Sequence, residues 1–203
     1  MTDAEPRRRL SIADRRRQIA ERGVELVARY GSYGVTMRQV ADAVGLTLPG
    51  LSHHVGGRDE LLTLIVETQF DDDPSGALTE AVANPSTSLP GLLRAIVQRN
   101  SERPQLTAVY LLLAVEAHAA DHPAHDYYVE RHARITAVFR DRPWRLPERF
   151  RSDGATSDLV RTSLSALDGV QLQALTDPRE SAISLWARVE RTLFGGPEWA
   201  DYR

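Results

Sequence analysis

Apolar residues in this 203-residue chain recur at intervals of three and four almost from end to end, and no stretch alternates apolar and polar positions long enough to build a strand. A side chain returns to the same face of an α-helix about every 3.6 residues, so this spacing demands helices packed through apolar stripes. The expected fold class is all-α, with about nine helices. Composition narrows the class further. The longest apolar run, which contains Val109 to Val115, is far short of the roughly 20 residues a membrane span needs. The arginine-rich start, Met1 to Arg17, has no apolar core and no small-residue cleavage site, so no secretory signal is read there and the expected compartment is the cytoplasm. Cysteine is absent, which excludes thiol chemistry, disulfides and thiolate metal sites. All 25 basic residues are arginine, which excludes Schiff-base lysines and lysine-dependent phosphate loops.

The formal charge of −3 hides a polarity along the chain. Residues 1–60 carry a balance of +2 and the remainder −5, and six of the arginines fall in two triplets, Arg7-Arg8-Arg9 and Arg15-Arg16-Arg17. A basic head therefore precedes an acidic body. Such clusters attract polyanions, although a solvated arm has the same composition.

Local signals divide the head into four helices. The first spans about Ala13 to Tyr30, with Ile19, Gly23, Leu26, Val27 and Tyr30 on one face, and stops at Gly31. Thr36 and Gln39 fit a capping box that opens a short second helix, ended near Val44 by Gly45. Thr47 caps a third, with Pro49 in its first turn, that ends near Val55 before Gly56-Gly57. Arg58-Asp59-Glu60 open a fourth that runs through Phe70 to Asp71-Asp72-Asp73-Pro74. Ser75 to Ser88 mixes Pro, Gly, Ser and Asn and separates head from body. Beyond it the periodicity predicts helices over about Leu89–Asn100, Pro104–Ala120, Pro123–Arg142 and Ser157–Thr176. A last one starts at Asp177-Pro178-Arg179-Glu180 and ends at Gly195-Gly196-Pro197.

Two short helices joined by a glycine turn fit a helix-turn-helix, in which the second helix enters the major groove and the first braces it across the backbone. Ala41 is small where the helices cross, Gly45 sits in the turn, and Leu51 packs back on the first helix. With these residues in place, the stretch from about 14 to 66 resembles the tetracycline-repressor (TetR) family of bacterial transcription regulators. The matching residues are Ile19-Ala20, Leu26, Gly31, Gly34 to Arg38, Val40-Ala41, Val44 to Thr47, Leu51, His53-His54 and Arg58 to Leu62. In the body, Ala166 to Leu175 followed by Asp177-Pro178, and Asp121 to Tyr128, are similar to the family's penultimate helix and to the loop before the helix preceding it.

The resemblance implies a DNA-binding domain over 1–57 with its basic arm, and a helical ligand-binding and dimerisation domain over 58–203. It implies a homodimer that holds a double-stranded, palindromic operator, pairs through the last two helices, about 157–194, and is released by a small organic effector. It carries over Thr36, Arg38, Thr47, Pro49, Gly50, Ser52, His53, His54 and Arg58 as DNA-binding positions. The chain departs from the family at Leu48, where lysine is frequent, at Ser52, where tyrosine is usual, at Val55 in place of phenylalanine, and at Gly56-Gly57. Specificity is then expected from Arg38, His53, methyl contacts of Thr47 or Pro49, and DNA shape.

Tyr110, Leu113, Glu116, Ala117, His118, Tyr128, His132, Ile135 and Phe139 fall on helices that line an effector pocket in that family, and the same residues would equally suit a core. The stripes Leu159 to Leu175 and Ile183 to Phe194 are wider than one core requires, which suits a dimer face or simply a core. His118 and His122 are four apart, but Pro123 follows directly, and no metal and no cofactor are expected. No nucleophile elbow or phosphate loop is present, so an enzyme is not expected. The alternative function is a helical protein-interaction module whose head has lost specific DNA binding.

Overall fold

A computed structural model describes residues 10–71, 84, 87–142 and 144–202. The described residues form nine α-helices and no strand, as the spacing predicts. They are α1 (Ile12–Gly34), α2 (Met37–Val44), α3 (Leu48–Val55), α4 (Arg58–Val66), α5 (Leu89–Ser101), α6 (Pro104–Glu116), α7 (His125–Asp141), α8 (Asp153–Thr176) and α9 (Ala182–Phe194). A π-turn, Glu67–Asp71, extends α4, and 3-10 turns occur at Glu148–Phe150 and Pro197–Trp199. No described helix is long and apolar enough to cross a membrane. The arginine triplet at 7–9 and most of the 75–88 separator lie outside the described residues.

Buried side chains gather into two clusters. The first joins α1 to α4 with α6 and the start of α7: Ile19, Val27, Val40, Leu51, Leu61 and Ile65 meet Leu106, Val109, Leu113 and Tyr128. The second joins α5, the end of α7, α8 and α9, and it includes Phe139, Trp186, Phe194 and Trp199. The apolar contacts thus do not part at residue 57, because α6 lies against both α1 and α4. Tyr30, expected on the inward face of α1, is 43% exposed. The helix breaks one residue later at Gly31 (φ 72°, ψ 171°), so the stripe loses its inward direction as the helix ends.

Several boundaries differ from the expected ones for local reasons. The last helix starts at Ala182 rather than at Asp177-Pro178. Asp177 spends its carboxylate on the Arg179 amide (3.0 Å) and guanidinium (2.8 Å), forming a turn, and Ser181 then caps the helix by accepting the Ser184 amide at 3.1 Å. Helix α8 starts at Asp153, four residues early, because Ser152 accepts the Ala155 amide. Helix α6 stops at Glu116 rather than Ala120, and turns through 117–124 carry the chain to α7, with Ala124 as its N-cap residue.

Candidate nucleic-acid interface

The head's geometry is set by three consecutive turns. Thr36 Oγ1 accepts the Gln39 amide at 3.2 Å while Gln39 Oε1 accepts the Thr36 amide at 2.8 Å, the reciprocal pair that satisfies two orphan donors at the start of α2. Gly45 is left-handed (φ 67°, ψ 35°), and Leu46 N–H returns to the Ala41 carbonyl at 2.9 Å, so the chain reverses within three residues. Thr47 Oγ1 then accepts the Gly50 amide at 3.2 Å and starts α3 with Pro49 in its first turn.

Leu51 and Val55 are buried and seat α3 on Val40, Ala41 and Val44 of α2. The other face is left to solvent: Thr47, Leu48, Pro49, Ser52 and His53 are exposed, Gly50 and His54 are half-buried, and the two histidine rings meet edge to face at 5.7 Å. Arg38 and Thr36 are exposed on α2 and its cap. Eight of the nine DNA-binding candidates therefore sit on the α2–α3 unit or its caps, six of them on α3 and its Thr47 cap and two, Thr36 and Arg38, on α2 and its cap.

The ninth, Arg58, is half-buried. Its Nη2 donates to the Ser32 carbonyl at 2.6 Å and its Nη1 is 3.5 Å from Asp59 Oδ1, so the guanidinium holds the start of α4 against the end of α1. Arg16 does similar work at the other end: its Nη1 donates to the His54 carbonyl at 2.7 Å, satisfying a carbonyl in the last turn of α3. Charge pattern alone groups Arg16 with its neighbours in the 15–17 triplet. The signal that sets it apart is position, three and four residues before the buried Ile19 and Ala20. The join between head and body carries a further link missed from sequence. His122 Nδ1 accepts the Ala124 amide at 3.1 Å, which leaves its Nε2 3.9 Å from Asp59 Oδ2 on α4 and 4.0 Å from Glu116 Oε2 on α6.

The nine ligand candidates do not form one lining. Tyr110, Leu113, Ala117 and Tyr128 are buried in the first cluster, Phe139 is buried in the second with Ile135 packed against it, Glu116 is half-buried, and His118 and His132 are exposed. Tyr110 is the centre of a compact group: Tyr128 Oη donates to the Tyr110 carbonyl at 2.6 Å, Arg131 Nη1 donates to Tyr110 Oη at 3.1 Å with its guanidinium over the ring, and Phe70 of the π-turn stacks at 5.1 Å. Beside Arg131, burial pushes the Asp168 carboxyl up to about 6, and burial also raises the Tyr128 hydroxyl. Among the described residues no group of three potential ligands could hold a metal ion. His118 and His125 point their Nδ1 atoms at the Val115 and Ala117 carbonyls.

Among known proteins, the HTH-type transcriptional regulator BetI of Rhizobium meliloti (strain 1021) is 25% identical to this chain over 111 residues, 53% of the chain. The match spans about half of that relative's length, 54%. No family model matches the sequence.

Proposed function

We propose that this chain is a DNA-binding transcriptional regulator that acts as a homodimer on a palindromic operator, most simply a repressor released by a small organic molecule. The observation that carries the reading is the division of α3 into a buried edge, Leu51 and Val55, and an outer face of Thr47, Pro49, Ser52 and His53 left to solvent beside Arg38. A helix presented this way fits a major groove, and its partner α2 braces it. The similarity to a regulator whose name includes a helix-turn-helix supports the same reading. In this arrangement Arg38 and His53 read base edges, Thr36 and His54 lie beside phosphates, and Gly50 lets the backbone approach the groove. Arg58 works by fixing α4, and the first 57 residues with their arginine arm serve as the DNA-binding domain.

The dimer face is drawn from α8 and α9. Much of the apolar surplus of 157–194 is spent on the core, since Leu159, Val160, Leu167, Val170, Leu185, Trp186 and Phe194 are buried. Leu172 and Ile183 remain exposed at 53% and 46% and supply the apolar centre a symmetric pair would cover. Effector release needs the body to distinguish two positions of α4. To move operator occupancy from nearly full to nearly empty, an effector must prefer the released position by about 10⁴-fold, about 5.5 kcal/mol.

The test is a titration of labelled promoter DNA from the gene's own neighbourhood at several salt concentrations. A regulator binds with a steep negative salt slope and prefers one palindrome. Arg38→Ala and His53→Ala narrow the gap between operator and random DNA. Binding with neither salt slope nor preference, from a monomer in sedimentation, would instead fit the interaction module.

A further inference from the structure

The α5–α6 turn and the α8–α9 turn enclose a cleft of about 200 Å³ lined by Asn100, Pro104 and Thr107 on one side and Gln171, Ala174 and Leu175 on the other. Two carboxamides are sunk in its floor: Asn100 is 7% exposed and Gln171 2%. Burying an amide costs about 1–3 kcal/mol unless its hydrogen bonds are replaced. Gln171 is served at both ends: its Oε1 accepts Asn100 Nδ2 at 2.6 Å, and its Nε2 donates to the Leu167 carbonyl at 3.2 Å. Asn100 is served only in part. Its main-chain carbonyl accepts the Thr107 hydroxyl at 3.0 Å, but its side-chain Oδ1 accepts no hydrogen bond from the described residues and keeps some exposure. A side-chain acceptor left over beside a cavity is what a donor-bearing ligand would complete.

The remaining lining sets the charge and size of that ligand. Among the described residues no arginine or histidine lines the cleft, so an anion finds no counter-charge there. The one acid in the lining, Glu180, is already paired with Arg188 at 2.9 Å, so a cation gains little. An engineered apolar cavity of about 150 Å³ admits benzene, so this one has room for one ring with a small substituent. We propose that the cleft binds a small uncharged molecule with an apolar body the size of one ring and a single O–H or N–H group. That group donates to Asn100 Oδ1 while Pro104, Ala174 and Leu175 pack on the ring. None of the nine residues expected from sequence to line an effector pocket belongs to this cleft, and the binding does not require DNA.

The probe is phenol, titrated into the full-length isotope-labelled protein and followed by the side-chain amide signals of Asn100 and Gln171 in NMR spectra. Saturable shifts confined to the cleft residues are expected, with toluene, which lacks the donor, and benzoate, which carries a charge, at least tenfold weaker. Asn100→Ala should weaken phenol at least tenfold and leave toluene unchanged. Ala174→Phe, at a half-buried position, fills the cleft and should abolish both, and it decides the matter should the Asn100 variant lose its helical circular dichroism. Shifts that do not saturate or map elsewhere, equal binding of toluene or benzoate, or phenol affinity unaltered by Ala174→Phe would overturn the proposal, whatever the outcome with promoter DNA.

Discussion

The guanidinium of Arg58 donates to the carbonyl of Ser32 at 2.6 Å, joining the first residue of α4 to the last turn of α1 across 26 positions of sequence. Ser32 directly follows the left-handed break at Gly31, so its carbonyl has left the regular α1 ladder. A charged donor on a half-buried carbonyl contributes about 1.5–3 kcal/mol. Arg58→Ala should lower the denaturation midpoint by a loss of about that size. Because the residue positions α4 rather than reading bases, operator and random DNA should weaken alike.

The turn between α2 and α3 depends on Gly45 for its backbone and not for space. Its φ is +67°, yet a Cβ there would meet nothing within 4 Å. Gly45→Ala should cost about 1–2 kcal/mol from left-handed strain alone, while Gly45→Asn, which tolerates this region better, should recover much of the loss. Urea denaturation of the two variants measures the difference, and equal losses would point to a steric cause instead.

Gly23 fails for the opposite reason. It lies in regular α1, but an added Cβ would stand 2.6 Å from Ile65 Cδ1, a fully buried atom of α4. Gly23→Ala should therefore destabilise by about 1–3 kcal/mol despite the better helix propensity of alanine. Ile65→Val removes the clashing methyl at a cost of about 0.5–1.5 kcal/mol. The double variant should be more stable than the sum of the single losses, a coupling read from a thermodynamic cycle.

Asp168 gives stability a pH dependence. Burial raises its carboxyl to about 6, against an opposing pull from Arg131. The folded chain therefore holds this proton more tightly than the unfolded chain. This site's contribution is most favourable below the ordinary carboxylate range near pH 4, and it is lost as pH rises through about 6, on the order of 2 kcal/mol. Asp168→Asn should be more stable than the parent at pH 8 and should flatten the profile between about pH 4 and 6. An unchanged profile in chemical denaturation would remove Asp168 as its source.

The parts of the head that sequence made legible are those closed within three to six residues. The Thr36–Gln39 box, the left-handed Gly45 and the Thr47 cap each form from their own neighbours, and all three occur as expected. Competing local bonds explain the displaced start of α9: Asp177 has a nearer partner in Arg179, and Ser181 caps the helix instead.

The amino-acid sequence by itself determined the all-helical class, the positions of the head's turns and the polarity of a basic start before an acidic body, because periodicity, capping and charge are written in near neighbours. Only the tertiary structure decided which polar groups face inward. Arg16 and Arg58 have the same composition as a solvated arginine arm until they meet the carbonyls of His54 and Ser32, 38 and 26 residues away. Asn100 and Gln171, 71 residues apart, become a buried pair only when α5 packs on α8. Long-range hydrogen bonds have no sequence period, since the partners are brought together by packing rather than by spacing along the chain.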